Sequence, residues 1–124
     1  MLRLVLESWF LILYCDVLMQ LRGFEQVHRA VRSQTVGGRQ PESESYASLC
    51  HGIDLACVLY FKRVLCLQRS AATALLLKRR GWAAELVIGA QLLPFESHAW
   101  VEIDRRVVND KPYITEIYQE LERC

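Results

Sequence analysis

The stretch Cys66-Leu-Gln-Arg-Ser-Ala-Ala-Thr-Ala-Leu-Leu-Leu-Lys-Arg-Arg80, which is followed by Gly81, decides the fold because it is the clearest helix in the chain. Its residues are good helix formers, its last turn is basic, and glycine commonly follows a helix C terminus. We therefore predict a helix over residues 65–80. Directly downstream the hydrophobic period changes, and Ala84-Glu-Leu-Val-Ile-Gly89 predicts a buried strand.

Two more strands are predicted after this one. Residues 99–103 and 106–110 form a hairpin with a tight turn at Asp104-Arg105, and residues 115–122 form a short closing helix. The chain thus has helices first and an antiparallel meander afterwards. This order predicts an α+β fold in which N-terminal helices pack on one face of a small antiparallel β-sheet.

Upstream of the central helix the chain is also predicted to be helical. Residues 2–32 form a helical segment that breaks at Gly23, and residues 46–61 form another, which Ser43 or Ser45 caps after a loop at 33–45. In the first segment the apolar residues recur at helical spacing: Leu6, Phe10, Leu13, Val17 and Leu21. The apolar face is so wide that this helix either packs deeply in its own domain or docks on a partner.

Length and charge narrow the class of protein. The 124 residues predict a single domain, with a helical part and loop at 1–45 and the core at 46–124. A formal net charge of +1 gives no electrostatic reason to expect a nucleic acid partner. The charge-free run at 8–15 is too short to cross a bilayer or to serve as a good signal peptide. The odd number of cysteines, five, is not typical of a secreted disulfide scaffold, so we expect a cytoplasmic protein with reduced thiols. We expect no membrane association.

Cys66 is the first candidate for chemistry because it stands at the start of the strongest helix. Unpaired backbone N–H groups and a partial positive charge at a helix N terminus favour a thiolate. The same N–H groups can hold an oxyanion after the sulfur attacks a carbonyl. Lys62 and Arg63 are expected to add to the positive field. The alternative interpretation is a buried structural cysteine.

His98 and Asp110 are the second and third candidates. His98 is predicted to open its strand after a loop at 91–97, and a hairpin symmetric about residue 104 places Asp110 directly opposite it. A carboxylate there can accept the imidazole N–H and stabilise the imidazolium. Glu102 and Asp104 lie too far along the strand to do so. The alternative for His98 alone is an ordinary core or surface histidine.

The three residues together make a nucleophile, a general base and an orienting acid. Trp100 lies two residues from His98 on the same strand face and is expected to wall the cleft. The other cysteines are expected to pack in the core; a zinc site at Cys50 and Cys57 would need further ligands that converge there. No metal or cofactor is expected.

Five segments carry a resemblance to a known family: Cys66-Leu67-Gln68-Arg69-Ser70, Arg79-Arg80-Gly81, Ala84-Glu85-Leu86-Val87-Ile88-Gly89, Pro94-Phe95-Glu96-Ser97-His98-Ala99-Trp100-Val101-Glu102 and Val107-Val108-Asn109-Asp110. Over residues 60–110 the chain closely resembles the lasso peptide biosynthesis B2 proteins. These are transglutaminase-like cysteine proteases with a papain-like core. Their nucleophile, base and acid fall on Cys66, His98 and Asp110.

The resemblance implies a leader peptidase, which removes the leader from a ribosomally made precursor and frees an amine for an ATP-dependent cyclase. No leader-binding module is recognisable before Cys66, so the resemblance points to the split type, in which a separate B1 protein presents the leader. The apolar face of residues 2–21 is the candidate docking surface for B1. The family's preference for threonine near the leader end implies a small pocket beside Cys66.

Two other functions stay open. A transglutaminase-like acyltransferase uses the same thioester and differs only in the nucleophile that resolves it. A non-catalytic binding subunit of the maturation complex would have an incomplete triad. The reaction products separate these functions, because a free carboxylate means a protease and a new amide means a transferase.

Overall fold

The computed structural model describes residues 2–37 and 45–124. Helices form the first half of the described chain and a four-stranded antiparallel sheet dominates the second, which confirms the α+β class. The elements in chain order are α1 (Leu2–Arg22), α2 (Phe24–Ser33), α3 (Tyr46–Leu59), α4 (Cys66–Arg79), β1 (Ala84–Leu92), β2 (Phe95–Ile103), β3 (Arg106–Val107), α5 (Ile114–Ile117) and β4 (Gln119–Arg123).

The helix ends lie where the local sequence predicts them. Gly23 separates α1 from α2 with a φ of 84°, a value that glycine adopts readily. Ser45 caps α3 by accepting a hydrogen bond from the Ser48 N–H; Ser43 lies outside the described residues. Gly81, with φ 93°, follows α4, and the N–H of Trp82 returns to the carbonyl of Leu77 in a Schellman motif.

The strand order in the sheet is β3-β2-β1-β4. One face, which carries Leu86, Ala99 and Val101, joins the main core that the helices build. The opposite face carries Val87 and Trp100, which form a second and smaller cluster. The main core draws on residues from both sides of position 45, and the division into 1–45 and 46–124 within a single domain stays a prediction.

The predicted closing helix at 115–122 is wrong. The helix α5 ends at Ile117, and β4 pairs antiparallel with β1, so the sheet is more than a three-stranded meander. Residues 119–123 include good helix formers, but tertiary pairing with the free edge of β1 overrides that local preference. Arg123 adds side-chain contacts to this pairing, because its guanidinium forms ion pairs with Glu85 on β1 and with Glu102 on β2.

The predicted loop at 91–97 and the predicted strand 106–110 also need correction. β1 continues to Leu92 and β2 begins at Phe95, so His98 lies inside a strand opposite Gly89 rather than at a strand mouth. β3 ends at Val107. The turn at Asp104-Arg105 is confirmed, and φ values of 52° and 64° fit a two-residue type I′ loop.

That turn sets a register different from the predicted one. A two-residue loop is centred between its residues, so Ile103 pairs with Arg106 and Glu102 with Val107. The predicted symmetry about residue 104, which would pair His98 with Asp110, is therefore off by one residue. In a strand such a shift moves a side chain to the other face of the sheet.

Helix α1 packs along its length on the rest of the chain and also exposes an apolar face. Its buried side includes Leu4, Leu11 and Ile12, and its acids are paired, Glu7 with Arg79 and Arg80 of the α4 C-terminal end and Asp16 with Lys62. The predicted apolar stripe lies mainly on the other side and is exposed at Leu6, Phe10, Val17 and Leu21. Packing within its own domain thus holds for the buried side of this helix, and docking on a partner stays a prediction for the exposed side.

Although its longest charge-free run is short, α1 as a whole has the length and apolar composition of a membrane-spanning helix. A third of its apolar window is buried inside the protein, and a core helix or a signal sequence passes the same test.

Tyr60 and Asp16 make a buried hydrogen bond that predicts a pH-dependent stability. Burial alone would raise the pKa of Asp16, but hydrogen bonds from Tyr60 (2.9 Å) and Lys62 bring that pKa below its ordinary value of 3.8. A lowered pKa stabilises the fold above the unfolded pKa, and the gain is lost as the pH falls through the folded pKa. Tyr60→Phe should lower the unfolding free energy by about 2 kcal/mol at pH 7, and this loss should shrink below pH 4.

Urea unfolding at pH 7 and pH 3 measures this effect. Tyr14→Phe is the matched control, since Tyr14 is an exposed tyrosine on α1, the helix that carries Asp16. It should change the unfolding free energy at neither pH. An equal loss for Tyr60→Phe at both pH values would show that the phenol acts through packing and not through the Asp16 carboxylate.

Candidate active site

Cys66 is the first residue of α4, as predicted, and its side chain is half-buried. The residue before it, Leu65, supplies no side-chain cap, and the first backbone bond of the helix runs from the Arg69 N–H to the Leu65 carbonyl. The amides of the first turn are therefore available to an anion beside the thiol. The expected field from Lys62 is weaker than predicted, because its ammonium lies 3.1 Å from the Asp16 carboxylate.

The structure brings His98 and Asp110 together. Nε2 of His98 lies 2.6 Å from Oδ2 of Asp110, and the two side chains are 22% and 17% exposed. A carboxylate can only accept, so Nε2 donates and Nδ1 is left as the basic nitrogen of the imidazole. The other carboxylate oxygen accepts the Lys111 N–H at 2.8 Å, which fixes the orientation of the acid.

Asp110 reaches His98 by a route other than the predicted ladder. The Val108 N–H still bonds the Val101 carbonyl, but the Val101 N–H is accepted by Oδ1 of Asn109 at 2.7 Å and not by a backbone carbonyl. Nδ2 of Asn109 donates to Oγ of Ser70 at 3.0 Å, and that hydroxyl donates to the Ala99 carbonyl. The acid segment, β2 and the first turns of α4 are thus joined in one buried network.

Two aromatic rings stack on the imidazole. The Trp100 ring lies 6.1 Å from the His98 ring with 27° between planes, and the Tyr118 ring lies 5.1 Å away with 25°. Trp100 is 1% exposed, so it does not wall an open cleft as predicted. Its indole N–H donates to the Glu102 carboxylate at 2.8 Å.

Tyr118 is the site residue that the sequence analysis missed. It lies between α5 and β4, in the segment predicted as one helix, and no local signal in the sequence points to its position. Burial, together with the neighbouring Glu96, Cys66 and Asp110, raises the pKa of its phenol. The phenol donates to Glu96 at 3.3 Å. These effects place the thiol and the acid near the ring that covers His98.

Gly89 makes room for this arrangement. It pairs with His98 across the β1–β2 ladder, on the face that also carries Trp100. A Cβ atom at this position would approach the Trp100 ring to 2.6 Å and the Gln119 carbonyl oxygen to 3.0 Å. Any other residue at this position would therefore displace the indole from its place beside His98.

Cys66 and His98 approach the site from different layers. Cys66 belongs to the helix layer, whereas His98 and Trp100 point to the sheet face away from α4. Arg69 and Ser70, in the first turns of α4, bond Asn109, the residue that precedes Asp110. Among residues 2–37 and 45–124 no hydrogen bond joins the Cys66 thiol to the imidazole, and catalytic contacts in free enzymes often tighten only on binding.

The other cysteines have different surroundings. Burial raises the pKa of the Cys15 thiol to about 12 and that of Cys50 to about 11. Burial also raises the pKa of Cys57 and Cys124. Within the described part of the chain, no three His, Cys, Asp or Glu side chains are grouped to hold a metal ion.

Comparison with known proteins identifies the family. The transglutaminase-like superfamily matches the chain over residues 11–123. The chain is also similar to the microcin J25-processing protein McjB of Escherichia coli, with 47% identity over 47 residues, which agrees with the resemblance to the lasso peptide B proteins. The matched part is 38% of this chain and 23% of McjB, less than a quarter of that relative's length. No solved structure matches the chain significantly. Since the superfamily match extends from within α1 to the end of β4, the chain belongs to the transglutaminase-like superfamily.

Proposed function

We propose that the chain is a cytoplasmic cysteine peptidase that removes the leader from a lasso peptide precursor. The observation that carries the proposal is the His98–Asp110 pair at the sheet edge next to the first turn of α4, where Cys66 stands. The similarity to a microcin-processing protein supports the substrate class. The superfamily supports thiol chemistry on a carbonyl carbon.

In the proposed reaction the Cys66 thiolate attacks the carbonyl carbon at the leader–core junction. The C–N bond breaks, and the imidazolium of His98 gives its proton from Nδ1 to the departing amine of the core. The leader stays on sulfur as a thioester. Water then attacks the thioester, gives one proton to Nδ1, and releases the leader as a carboxylic acid, which ionises; the thiolate is restored.

Two groups stabilise the charges in this scheme. The backbone N–H groups of the first α4 turn, which no side chain caps, are the proposed donors to the carbonyl oxygen as it becomes negative. The Asp110 carboxylate holds Nε2–H and so keeps Nδ1 as the nitrogen that exchanges the proton. Trp100 and Tyr118 pack against the imidazole and against each other, with 6.3 Å between their ring centroids.

The partners follow from the same proposal. A separate B1 protein presents the precursor leader, and the cyclase uses the freed amine. The outer face of α1, defined by Leu2, Leu6, Phe10, Val17 and Leu21, is the proposed docking surface for B1, since these apolar side chains are 44–76% exposed. The resemblance also implies a small pocket for a threonine side chain beside Cys66.

Mass spectrometry of the precursor after incubation with the protein tests the function. We expect cleavage at the leader–core junction that the B1 partner stimulates. Cys66→Ala should lower the rate by more than about a thousandfold, because it removes the nucleophile. Cys57→Ala, a change of the same kind at a half-buried cysteine outside the site, should leave the rate within about twofold of the wild type.

The products decide between the functions. A leader that ends in a free carboxylate supports the peptidase. A leader joined to an added amine would instead identify an acyltransferase. An intact precursor, with B1 bound and folded protein present, would contradict any catalytic role and leave a binding subunit.

Thiol labelling at pH 7.5 tests the nucleophile without a substrate. The raised pKa values of Cys15 and Cys50 leave less than about one in a thousand of these thiols ionised, so both should resist iodoacetamide. We expect Cys66 to be alkylated first, because burial also raises the pKa values of Cys57 and Cys124, whereas Cys66 lies half-exposed at an uncapped helix end. Peptide mapping of the labelled protein measures the order, and equal labelling of Cys57 and Cys66 would contradict it.

A further inference from the structure

We propose that Asn109 is the positioning residue that places Asp110 against His98, and that its side-chain amide does so by replacing backbone pairing at the point where β3 ends. The inference rests on the proposed function for its kinetic consequence. The hydrogen bonds that carry it are independent of any substrate.

A regular ladder would place Asp110 on the wrong face. The pairs Glu102–Val107 and Ile103–Arg106 set the register, and continuing it would pair Asp110 with Ala99. Residues that pair directly share a face, and Ala99 points to the helix layer, whereas His98 points to the opposite face. Asp110 can therefore reach the imidazole only if the chain leaves the ladder before it.

The ladder ends one step after β3. The Val108 N–H still donates to the Val101 carbonyl at 3.0 Å, but the Val101 N–H finds its acceptor in a side chain, Oδ1 of Asn109. The amide oxygen thus occupies the place of a backbone carbonyl. It satisfies the buried Val101 N–H, which would otherwise lack a partner and would destabilise the fold.

The rest of the amide links β2 to the nucleophile helix. Nδ2 donates to the Ser70 hydroxyl, which in turn donates to the Ala99 carbonyl; Asn109 is 7% and Ser70 0% exposed. Ser70 lies one helical turn after Cys66 on α4. A single buried amide therefore joins the strand of the base, the segment of the acid and the helix of the nucleophile.

Arg69 holds the same residue from its backbone side. Its guanidinium donates to the Asn109 carbonyl at 2.8 Å and also contacts Asp54 of α3 at 3.0 Å. Val101 and Ser70 thus fix the side chain of Asn109, and Arg69 fixes its carbonyl. These contacts restrict the backbone direction from Asn109 to Asp110. Asparagine suits this role because it offers an acceptor and a donor on one short side chain.

Nitrogen-15 NMR of the three histidines tests the positioning directly. In the wild type at pH 8 we expect His98 to be fixed as the Nε2–H tautomer, with His28 and His51 as internal references. Asn109→Ala should release His98 to a mixture of tautomers, and Asp110→Asn should have the same effect. Asn109→Asp keeps the acceptor for Val101 but loses the donor to Ser70, so it should release His98 only in part.

Peptidase kinetics provide the second measurement. Asn109→Ala should lower kcat by about 100-fold with KM little changed, as expected when a mutation misplaces a group by about 1 Å. Because Asn109 acts through Asp110, the double variant Asn109→Ala/Asp110→Asn should be within about threefold of Asp110→Asn alone. Lys78→Met is the matched control. Lys78 lies at the far end of α4, is also 7% exposed, and donates a buried hydrogen bond to the Val31 carbonyl of α2.

The results separate positioning from stability. Lys78→Met should destabilise the protein and leave both the His98 tautomer and kcat close to those of the wild type. A fixed Nε2–H tautomer in folded Asn109→Ala, or losses that multiply in the double variant, would overturn the inference. If the wild type cleaves no precursor, the proposed function fails, but the tautomer measurement still decides the role of Asn109.

Discussion

The register set by the Asp104-Arg105 turn is the constraint on which the candidate site depends. Both turn residues have positive φ, and the two-residue loop pairs Ile103 with Arg106. In that register a longer β3 would carry the acid to the helix-facing side of the sheet. The strand therefore stops at Val107, and side-chain hydrogen bonds replace the ladder. The shortness of β3 is thus a condition for the His98–Asp110 contact and not an irregularity of a small sheet.

The helix α4 connects the two layers at both of its ends. At its C terminus the Schellman motif around Gly81 turns the chain directly into β1. At its N terminus, Arg69 and Ser70 bond the segment and the strand that carry the acid and the base. Since Cys66 begins the same helix, the contacts that attach α4 to the sheet also locate the thiol. The hydrogen bonds of Arg69 and Ser70 therefore serve both the packing of α4 on the sheet and the placement of Cys66.

The sequence predicts local features well and non-local ones poorly. The helix at 66–79, the break at Gly23, the Ser45 cap and the turn at 104–105 all follow from local preferences, and the structure has them. The strand β4 and the position of Tyr118 depend on pairing with a distant edge of β1, which no local pattern encodes. The choice of Asp110 as the partner of His98 agrees with their contact, although the register used to choose it is wrong. The element that makes the contact possible, the Asn109 amide, is a tertiary feature, and spacing alone does not reveal it.

The contacts of His98 fix the orientation of its imidazole, and this decides which of its nitrogens can exchange a proton with the Cys66 thiol. Asp110 occupies Nε2, and Trp100 and Tyr118 lie against the ring, so rotation of the imidazole toward the thiol would break the bond to the acid and both stacking contacts. Nδ1 is then the only nitrogen that can accept a proton from sulfur. Cys66 lies half-buried in the first turn of α4, and Arg69 and Ser70 attach this end of the helix to the acid segment and to β2. In the proposed reaction the proton is therefore exchanged at Nδ1, the nitrogen that Asp110 leaves available.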